Sequence, residues 1–404
     1  MFVKKIIFVG EYMLCGGVEK SLLALLKFID PKKYSITVML LKKRGVLLPE
    51  LPDYVKIVEM PLPKDEEFDI LYGKGNALKY YLKKGRIFLF IKKLIRGFFL
   101  QLFSKSPEEK RINYYKMIDH KFPIYEEDYD IAVDYMGYGL INTFYVAKKI
   151  KAKKKLTWIH FEPQQAMKNF STFNYYLKDY DKIICVSKEI YRQMKICSKE
   201  ISNKLEVFYN ILDVERIQNQ AKEKVSFDQD YRGIKILSIG RLDESKGFDI
   251  SIPIIKRLVN KNYKVKWYII GEGHMRSVLE SLIRQYDLNN HIVLLGQKTN
   301  PYPYLSKSDI YFQPSKHEGY GIAVAEARVF CKPIVVTDFA AAKEQLIDGQ
   351  TAIITQCVED DLYIALKKLI DNPSLQKYFS HNLLEQKKNY RRQVEYLEEI
   401  FNKV

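Results

Sequence analysis

At 404 residues and 47% hydrophobic content, the chain suits two or three globular domains and is too apolar to be disordered; 19 glycines and 14 prolines rule out collagenous or low-complexity sequence. Cys15, Cys185, Cys197, Cys331 and Cys357 form no Cys-x-x-Cys pair, which argues against a disulfide scaffold or zinc ribbon and fits a reducing compartment. The net charge of +17 is lopsided: residues 1–200 hold 37 basic and 23 acidic side chains, residues 201–404 hold 29 and 26, so a polyanionic partner of the first half is expected, whether nucleic acid, anionic membrane or acidic substrate.

The start, Met1 to Gly10, has a five-residue apolar run and no small-residue cleavage site, so no secretory signal is expected. Lys5–Gly10 reads as a strand, Gly17–Ile29 as a helix and Ser35–Leu41 as a strand. The stretch 75–121 is helical, basic and aromatic. Within it, 87–103 is apolar but carries three cations, which argues against a membrane span. A helix there places Phe88, Ile91, Ile95 and Phe98 on one side, with Lys92, Lys93 and Arg96 nearby. Such a basic amphipathic helix can lie on an anionic membrane, or pack on the core with a solvated basic face. Ser106-Pro107-Glu108-Glu109 reads as a helix start.

Further strands are expected at Asp130–Met136, Lys155–His160, Lys182–Ser187 and Leu205–Asn210. A second series follows at Ile234–Gly240, Lys264–Gly271, Ile292–Gly296, Asp309–Ser315, Pro333–Asp338 and Thr351–Gln356. Strands apolar at nearly every position, separated by helices, indicate parallel sheets covered on both faces. The series breaks near Asn210–Asp213. This predicts an α/β architecture of two Rossmann-like doubly wound domains facing a central cleft, 1–212 and 213–382. A charged helix over 383–404 is long enough to pack back on the first domain.

The strongest chemical signal lies where one strand ends near Ser315. The loop Lys316–Gly321 and a helix follow, and that arrangement suits a phosphate at the carboxyl edge of a sheet. Glu326 sits one turn into the helix, where it can accept ribose hydroxyls. Glu318 lies in the loop, where a carboxylate is costly unless it meets hydroxyls or a cation. Both point to a sugar nucleotide. At the earlier strand exit, Gly240-Arg241 and Lys246-Gly247 place two cations that can clamp a diphosphate without a metal.

These stretches resemble glycosyltransferase family 4, the large retaining family with the GT-B fold. The resemblance is densest over 234–350 and rests on Gly240-Arg241, Lys246-Gly247, Gly271-Glu272-Gly273 and the Glu318/Glu326 pair. In the first half, Gly16-Gly17 looks like the glycine-rich loop, His160 the active-site histidine, and Ser187 a common strand end. The resemblance implies that Arg241 and Lys246 hold the donor diphosphate and stabilise the departing nucleotide. It further implies that Glu326 holds the ribose, and that Glu318 with the backbone of Gly319, Tyr320, Gly321 and Ile322 contacts donor sugar and phosphate. His160 would sit beside the transferred sugar, and Gly16 and Gly17 would let the backbone approach the ligand; Gly240 and Gly271 complete the expected donor site. UDP is the expected nucleotide. The resemblance and the basic first half further imply a saccharide acceptor that is lipid-linked and used in surface-polysaccharide assembly at the inner face of the membrane.

Asp128-Tyr129-Asp130 and Asp179-Tyr180-Asp181 resemble the metal triplets of the other glycosyltransferase fold, GT-A, but each precedes an apolar strand. No metal and no cofactor beyond the nucleotide-sugar substrate is therefore expected. Gly271-Glu272-Gly273 lacks a third glycine for a dinucleotide fingerprint. No nucleic-acid-binding module is legible. The rival readings are another GT-B enzyme, such as a nucleotide-sugar epimerase or soluble glycan synthase, and a membrane-bound partner subunit without turnover.

Overall fold

The computed structural model describes residues 3–137, 141–163, 175–228, 230–386 and 391–403. The first half contains β1 (Lys4–Gly10), α1 (Gly17–Phe28), β2 (Tyr34–Leu40) and β3 (Lys56–Glu59). Four helices follow: α2 (Glu67–Tyr72), α3 (Lys74–Lys83), α4 (Ile87–Leu102) and α5 (Pro107–Ile118). Then come β4 (Tyr125–Asp134), β5 (Ile150–Ile159), β6 (Lys182–Cys185) and β7 (Leu205–Val207). The second half contributes β8 (Ile234–Ile239), β9 (Val265–Ile270), β10 (Ile292–Gly296), β11 (Ile310–Gln313), β12 (Ile334–Thr337) and β13 (Ile353–Thr355).

Two separate parallel sheets result, with strand orders β3-β2-β1-β4-β5-β6-β7 and β10-β9-β8-β11-β12-β13. In each, the order reverses direction beside the first strand, β1 or β8, leaving a crevice at the carboxyl edge. The central strands are buried on both faces: Ile6, Ile7, Phe8 and Val9 in β1, and Ile310, Tyr311 and Phe312 in β11, are fully inaccessible. Apolar runs of this kind form where helices cover both sides of a sheet. Strand β3 escaped the sequence reading. Its four residues, Lys-Ile-Val-Glu, are half-buried or exposed at the sheet edge and carry no long apolar run.

The aspartate triplets serve the sheet. Asp130, inside β4, accepts the Lys5 backbone N–H at 2.8 Å, and Asp181, just before β6, accepts that of Lys155 at 2.8 Å. Each carboxylate satisfies a backbone donor of a neighbouring strand.

The end of the chain holds two helices where one was expected, Pro373–Glu385 and Arg391–Lys403. The second lies on the first domain. Phe401 meets the rings of Phe8 and Tyr34 edge-on, Lys4 Nζ donates to the Phe401 carbonyl at 2.9 Å, and Tyr396 donates to Glu206 at 2.6 Å.

Ser106 caps α5, accepting the Glu109 N–H at 3.1 Å with Pro107 in the first turn. The orientation of α4 rules out the alternative of a core-packed helix with Lys93 and Arg96 on a solvated basic face. Lys93 is only 2% exposed and, with Arg96, points inward, whereas Phe88, Ile91, Ile95 and Phe98 face solvent. Lys93 Nζ lies 2.7 Å from Glu66 and 2.5 Å from Asp69; Arg96 and Lys121 reach Glu66 at 2.9 and 2.6 Å. Burial works against the charged Glu66 carboxyl, but hydrogen bonds from Arg96, Lys121 and Lys93 outweigh it and hold the pKa down at about 2.

Candidate functional site

The site forms where the carboxyl edges of the two sheets face each other. On the second domain, β8 ends at Ile239, and Gly240 lets the stem of Lys246 lie close: an added Cβ would sit 3.3 Å from its Cδ. Lys246 occupies a single turn closed by Gly247, whose φ of +65° is left-handed, and a Cβ there would strike the Pro314 carbonyl at 2.1 Å. Only glycine fits both restraints. The Lys246 ammonium is thereby delivered to Glu318 Oε1 at 2.6 Å. Ser315 Oγ and Gln313 Nε2 donate to the same oxygen at 3.1 and 3.3 Å. Three donors on one carboxylate oxygen fix the Glu318 side chain in place. Arg241 stands apart, 80% exposed, its Nε 3.3 Å from Asp243. It is free to move onto a ligand and faces Glu19 of the first domain, whose pKa burial raises and Arg241 partly lowers.

The loop then reaches Gly321, at φ +80°, and the helix Ile322–Val329 begins. Glu326 is buried one turn into it and accepts from Lys20 Nζ at 2.9 Å and from Tyr302 OH at 2.8 Å, both on Oε1. Lys20 belongs to α1 of the first domain, so this ion pair crosses the cleft. Burial alone would lower the Lys20 pKa, but the Glu326 carboxylate, followed by Tyr302 and Cys15, overrides it and holds the group above its ordinary range. The N-termini of the two helices also meet. Gly17 opens α1, and a Cβ there would lie 3.2 Å from Ile322 Cγ1. Two helix N-termini thus bring unpaired N–H groups and partial positive charge to one point.

His160 follows β5. Gly319 presses on it so closely that a Cβ would fall 1.9 Å from the His160 carbonyl oxygen. Desolvation lowers the histidine pKa to about 4, although a backbone hydrogen bond with Tyr135 opposes it, so the ring is neutral near pH 7. Its Nε2 is shielded from solvent and has no hydrogen-bond partner among the described residues. Glu162 Oε1 accepts the Glu318 and Ala340 N–H groups, each at 3.2 Å, and ties this segment to the glycine-containing loop of the second domain.

The structure therefore gathers Gly16, Gly17, His160, Gly240, Arg241, Lys246, Glu318, Gly319, Gly321, Ile322 and Glu326 around one cleft. Two expected residues sit differently. Gly271, at φ +154°, packs on the Gly240 carbonyl, where a Cβ would come within 1.8 Å, so it shapes the strand ends. The Tyr320 side chain is buried beside Tyr209 between the domains, leaving its backbone as the part that lines the loop. Ser187 caps the helix Lys188–Cys197, accepting the Ile190 N–H at 3.1 Å. Sequence reasoning missed Lys20, Glu162 and Tyr302. The signal for Lys20 was its place one residue after Gly16-Gly17-Val18-Glu19; Tyr302 carried none. Among the described residues, no cluster of three or more His, Cys, Asp or Glu is arranged to hold a metal.

Residues 219–386 match the family model described as Glycosyl transferases group 1. That match falls within the second half of the chain, over β8–β13 and the helices between them. The chain is 29% identical over 180 residues to the N-acetylgalactosamine-N,N'-diacetylbacillosaminyl-diphospho-undecaprenol 4-alpha-N-acetylgalactosaminyltransferase of Campylobacter jejuni, covering 44% of this chain and 47% of that protein. It is 26% identical over 374 residues to an uncharacterized glycosyltransferase of Methanocaldococcus jannaschii, covering 85% of this chain and 92% of the other. The first three curated relatives are matched over about half their length, 50%, 47% and 55%. The Anabaena protein HepE, solved with UDP and glucose, superposes with a TM-score of 0.71 at 14% identity over 99% of this chain and all of HepE. The two-domain architecture is GT-B.

Proposed function

We propose that the protein is a retaining glycosyltransferase of family 4 type, moving a sugar from a nucleotide-sugar donor to a saccharide acceptor. The observation that carries this is the convergence of Arg241, Lys246, Glu318 and Glu326 with two helix N-termini opposite His160, in one cleft between the sheets. Residues 213–382 bind the donor and residues 1–212 the acceptor, with UDP the favoured nucleotide. Arg241, Lys246 and the N–H groups at Gly321–Ile322 receive the diphosphate without a metal and stabilise the charge on the departing nucleotide. Glu326, fixed by Lys20 and Tyr302, accepts ribose hydroxyls, and Glu318 orients the donor sugar. His160, neutral and water-shielded, offers the transferred sugar a hydrogen-bonding edge without placing a positive charge beside it. Retention proceeds with attack from the face the leaving group departs, so no side-chain nucleophile is required.

The acceptor is a lipid-linked saccharide in surface-polysaccharide assembly at the inner face of the membrane. The Campylobacter relative, whose name specifies a diphospho-undecaprenol acceptor, and the basic first half support this reading.

Thermal melts with a panel of nucleotides and nucleotide sugars, with and without EDTA, test the donor site. A ligand at a hundred times its Kd stabilises by about 2.7 kcal/mol. The expected result is a shift with UDP or a UDP-sugar that survives EDTA and disappears in Lys246→Ala. No shift with any nucleotide overturns the reading. Release of free UDP only when an acceptor is present separates transfer from epimerisation.

A further inference from the structure

Helix α4 is amphipathic in reverse. Its buried stripe is Lys93, Gly97 and Leu100, and its outward surface is Ile87, Phe88, Ile91, Leu94, Ile95, Phe98, Phe99 and Leu102, broken only by Lys92 and Gln101. Phe88 is 79% exposed, Phe98 66% and Leu102 63%, and Phe103 continues the surface, stacked on Phe99. Leu82 of α3 adds to the same exposed set. A soluble surface rarely leaves an apolar face this continuous without a partner. The inversion is built in: Lys93 and Arg96 hold the helix by its charges to Glu66 and Asp69. The cations that would normally face water are spent inside.

The surroundings say what covers this face. Between Lys74 and Lys121 there are thirteen basic and three acidic residues, and Lys79, Lys83, Lys84, Arg86, Lys92 and Lys105 are exposed around the helix. A second copy of the chain would set this cationic rim against itself. An anionic lipid surface meets both features at once, with headgroups for the rim and the acyl boundary for the rings. Among the described residues no helix is long and apolar enough to cross a membrane, so α4 would lie in the interface.

We propose that α4 is an interfacial membrane anchor, docking its outward Phe88–Phe98 face into the headgroup–acyl boundary of an anionic bilayer; this rests on the membrane-facing part of the proposed function and assigns it to an apolar surface. Phe88 and Phe98 enter the lipid, Lys79, Lys83, Lys84 and Lys92 pair with headgroups, and Glu66 and Asp69 keep the helix oriented.

The test is flotation of the full chain with phosphatidylcholine vesicles, with and without phosphatidylglycerol, at low and high salt. Wild type is expected to float with phosphatidylglycerol vesicles and to retain part of that binding at high salt, because insertion of rings is not screened. Phe88→Ser with Phe98→Ser is expected to weaken partitioning by at least about tenfold, since each ring forfeits its transfer free energy. Both residues are exposed, and an unchanged melting temperature and unchanged nucleotide-induced shift establish that the fold and donor site are intact. If wild type floats and the double variant floats equally well, the α4 assignment is overturned while the membrane reading stands. If wild type ignores every vesicle, both are overturned. If light scattering finds a wild-type dimer that the double variant dissolves, the face belongs to a second copy and the proposal is overturned.

Discussion

Two sets of lysine–carboxylate pairs among the described residues lie largely out of solvent, and they differ in everything but their chemistry. Under α4, Lys93, Arg96 and Lys121 close on Glu66 and Asp69 within one domain, and the pairs hold a helix in place. In the cleft, Lys20 meets Glu326 and Lys246 meets Glu318 beside two helix N-termini, and one of the pairs spans the domains. A buried ion pair by itself therefore does not mark a functional site. What distinguishes the cleft is the coincidence of strand ends, left-handed glycines and converging N–H groups, which prepare a place for a charge that arrives with a ligand.

The largest separation between the two sets is expected in stability. Lys93→Met leaves two buried carboxylates short of a cation and is expected to cost about 3–5 kcal/mol in urea unfolding. Nucleotide affinity of the folded fraction should stay at the wild-type value; a variant that loses nucleotide binding while remaining folded would erase the distinction. Next, Lys246→Ala and Arg241→Ala are each expected to lower the transfer rate about 10²–10³-fold, as loss of one donor to a developing charge does elsewhere. Arg241→Ala should leave the ligand-free Tm unchanged, because its side chain is 80% exposed. Wild-type turnover in both variants would remove them from the diphosphate clamp.

A smaller effect is expected at the contact between domains. Gly319→Ala places a Cβ 1.9 Å from the His160 carbonyl, which must move. A cost of about 1–3 kcal/mol is expected from overpacking, together with a wider cleft visible as a larger radius of gyration in small-angle scattering. An unchanged radius with full activity would show that this contact does not set the closure.

The smallest is a pH effect at His160. The unfolded ring protonates near its ordinary 6.5 and the folded ring only near about 4, so between these values the unfolded state binds more protons. Stability is therefore expected to fall as pH drops from about 6.5 toward about 4, and His160→Asn should flatten that part of the Tm profile. An identical slope in the variant would place the acid sensitivity elsewhere.

The parallel strands were legible because each is buried on both faces and must be apolar at nearly every position, as in Ile6–Val9 and Ile310–Phe312. Strand β3, half-exposed at an edge, had no such constraint and left no such trace. The candidate site was legible at Arg241, Lys246, Glu318 and Glu326 because residues at strand exits fall at the carboxyl edge of the sheet whatever packs around it. Lys20 and Glu162 were not, because their partners lie in distant parts of the sequence: Lys20 is 306 residues from Glu326, and Glu162 is 156 from Glu318.

For α4, periodicity located the apolar stripe, and composition located the cations. Neither could say which side faces the core, since a helix with Lys93 inward and one with Phe88 inward have the same period. The choice depends on Glu66 and Asp69, contributed by a preceding segment that folds beneath the helix. Local sequence thus determined the elements and the chemistry at the strand ends, because both depend on short-range period and position. Only the tertiary structure decided which charges are neutralised inside, which surface is left to the solvent, and which residues of one domain complete the site of the other, because those outcomes depend on partners that the chain brings together from far apart.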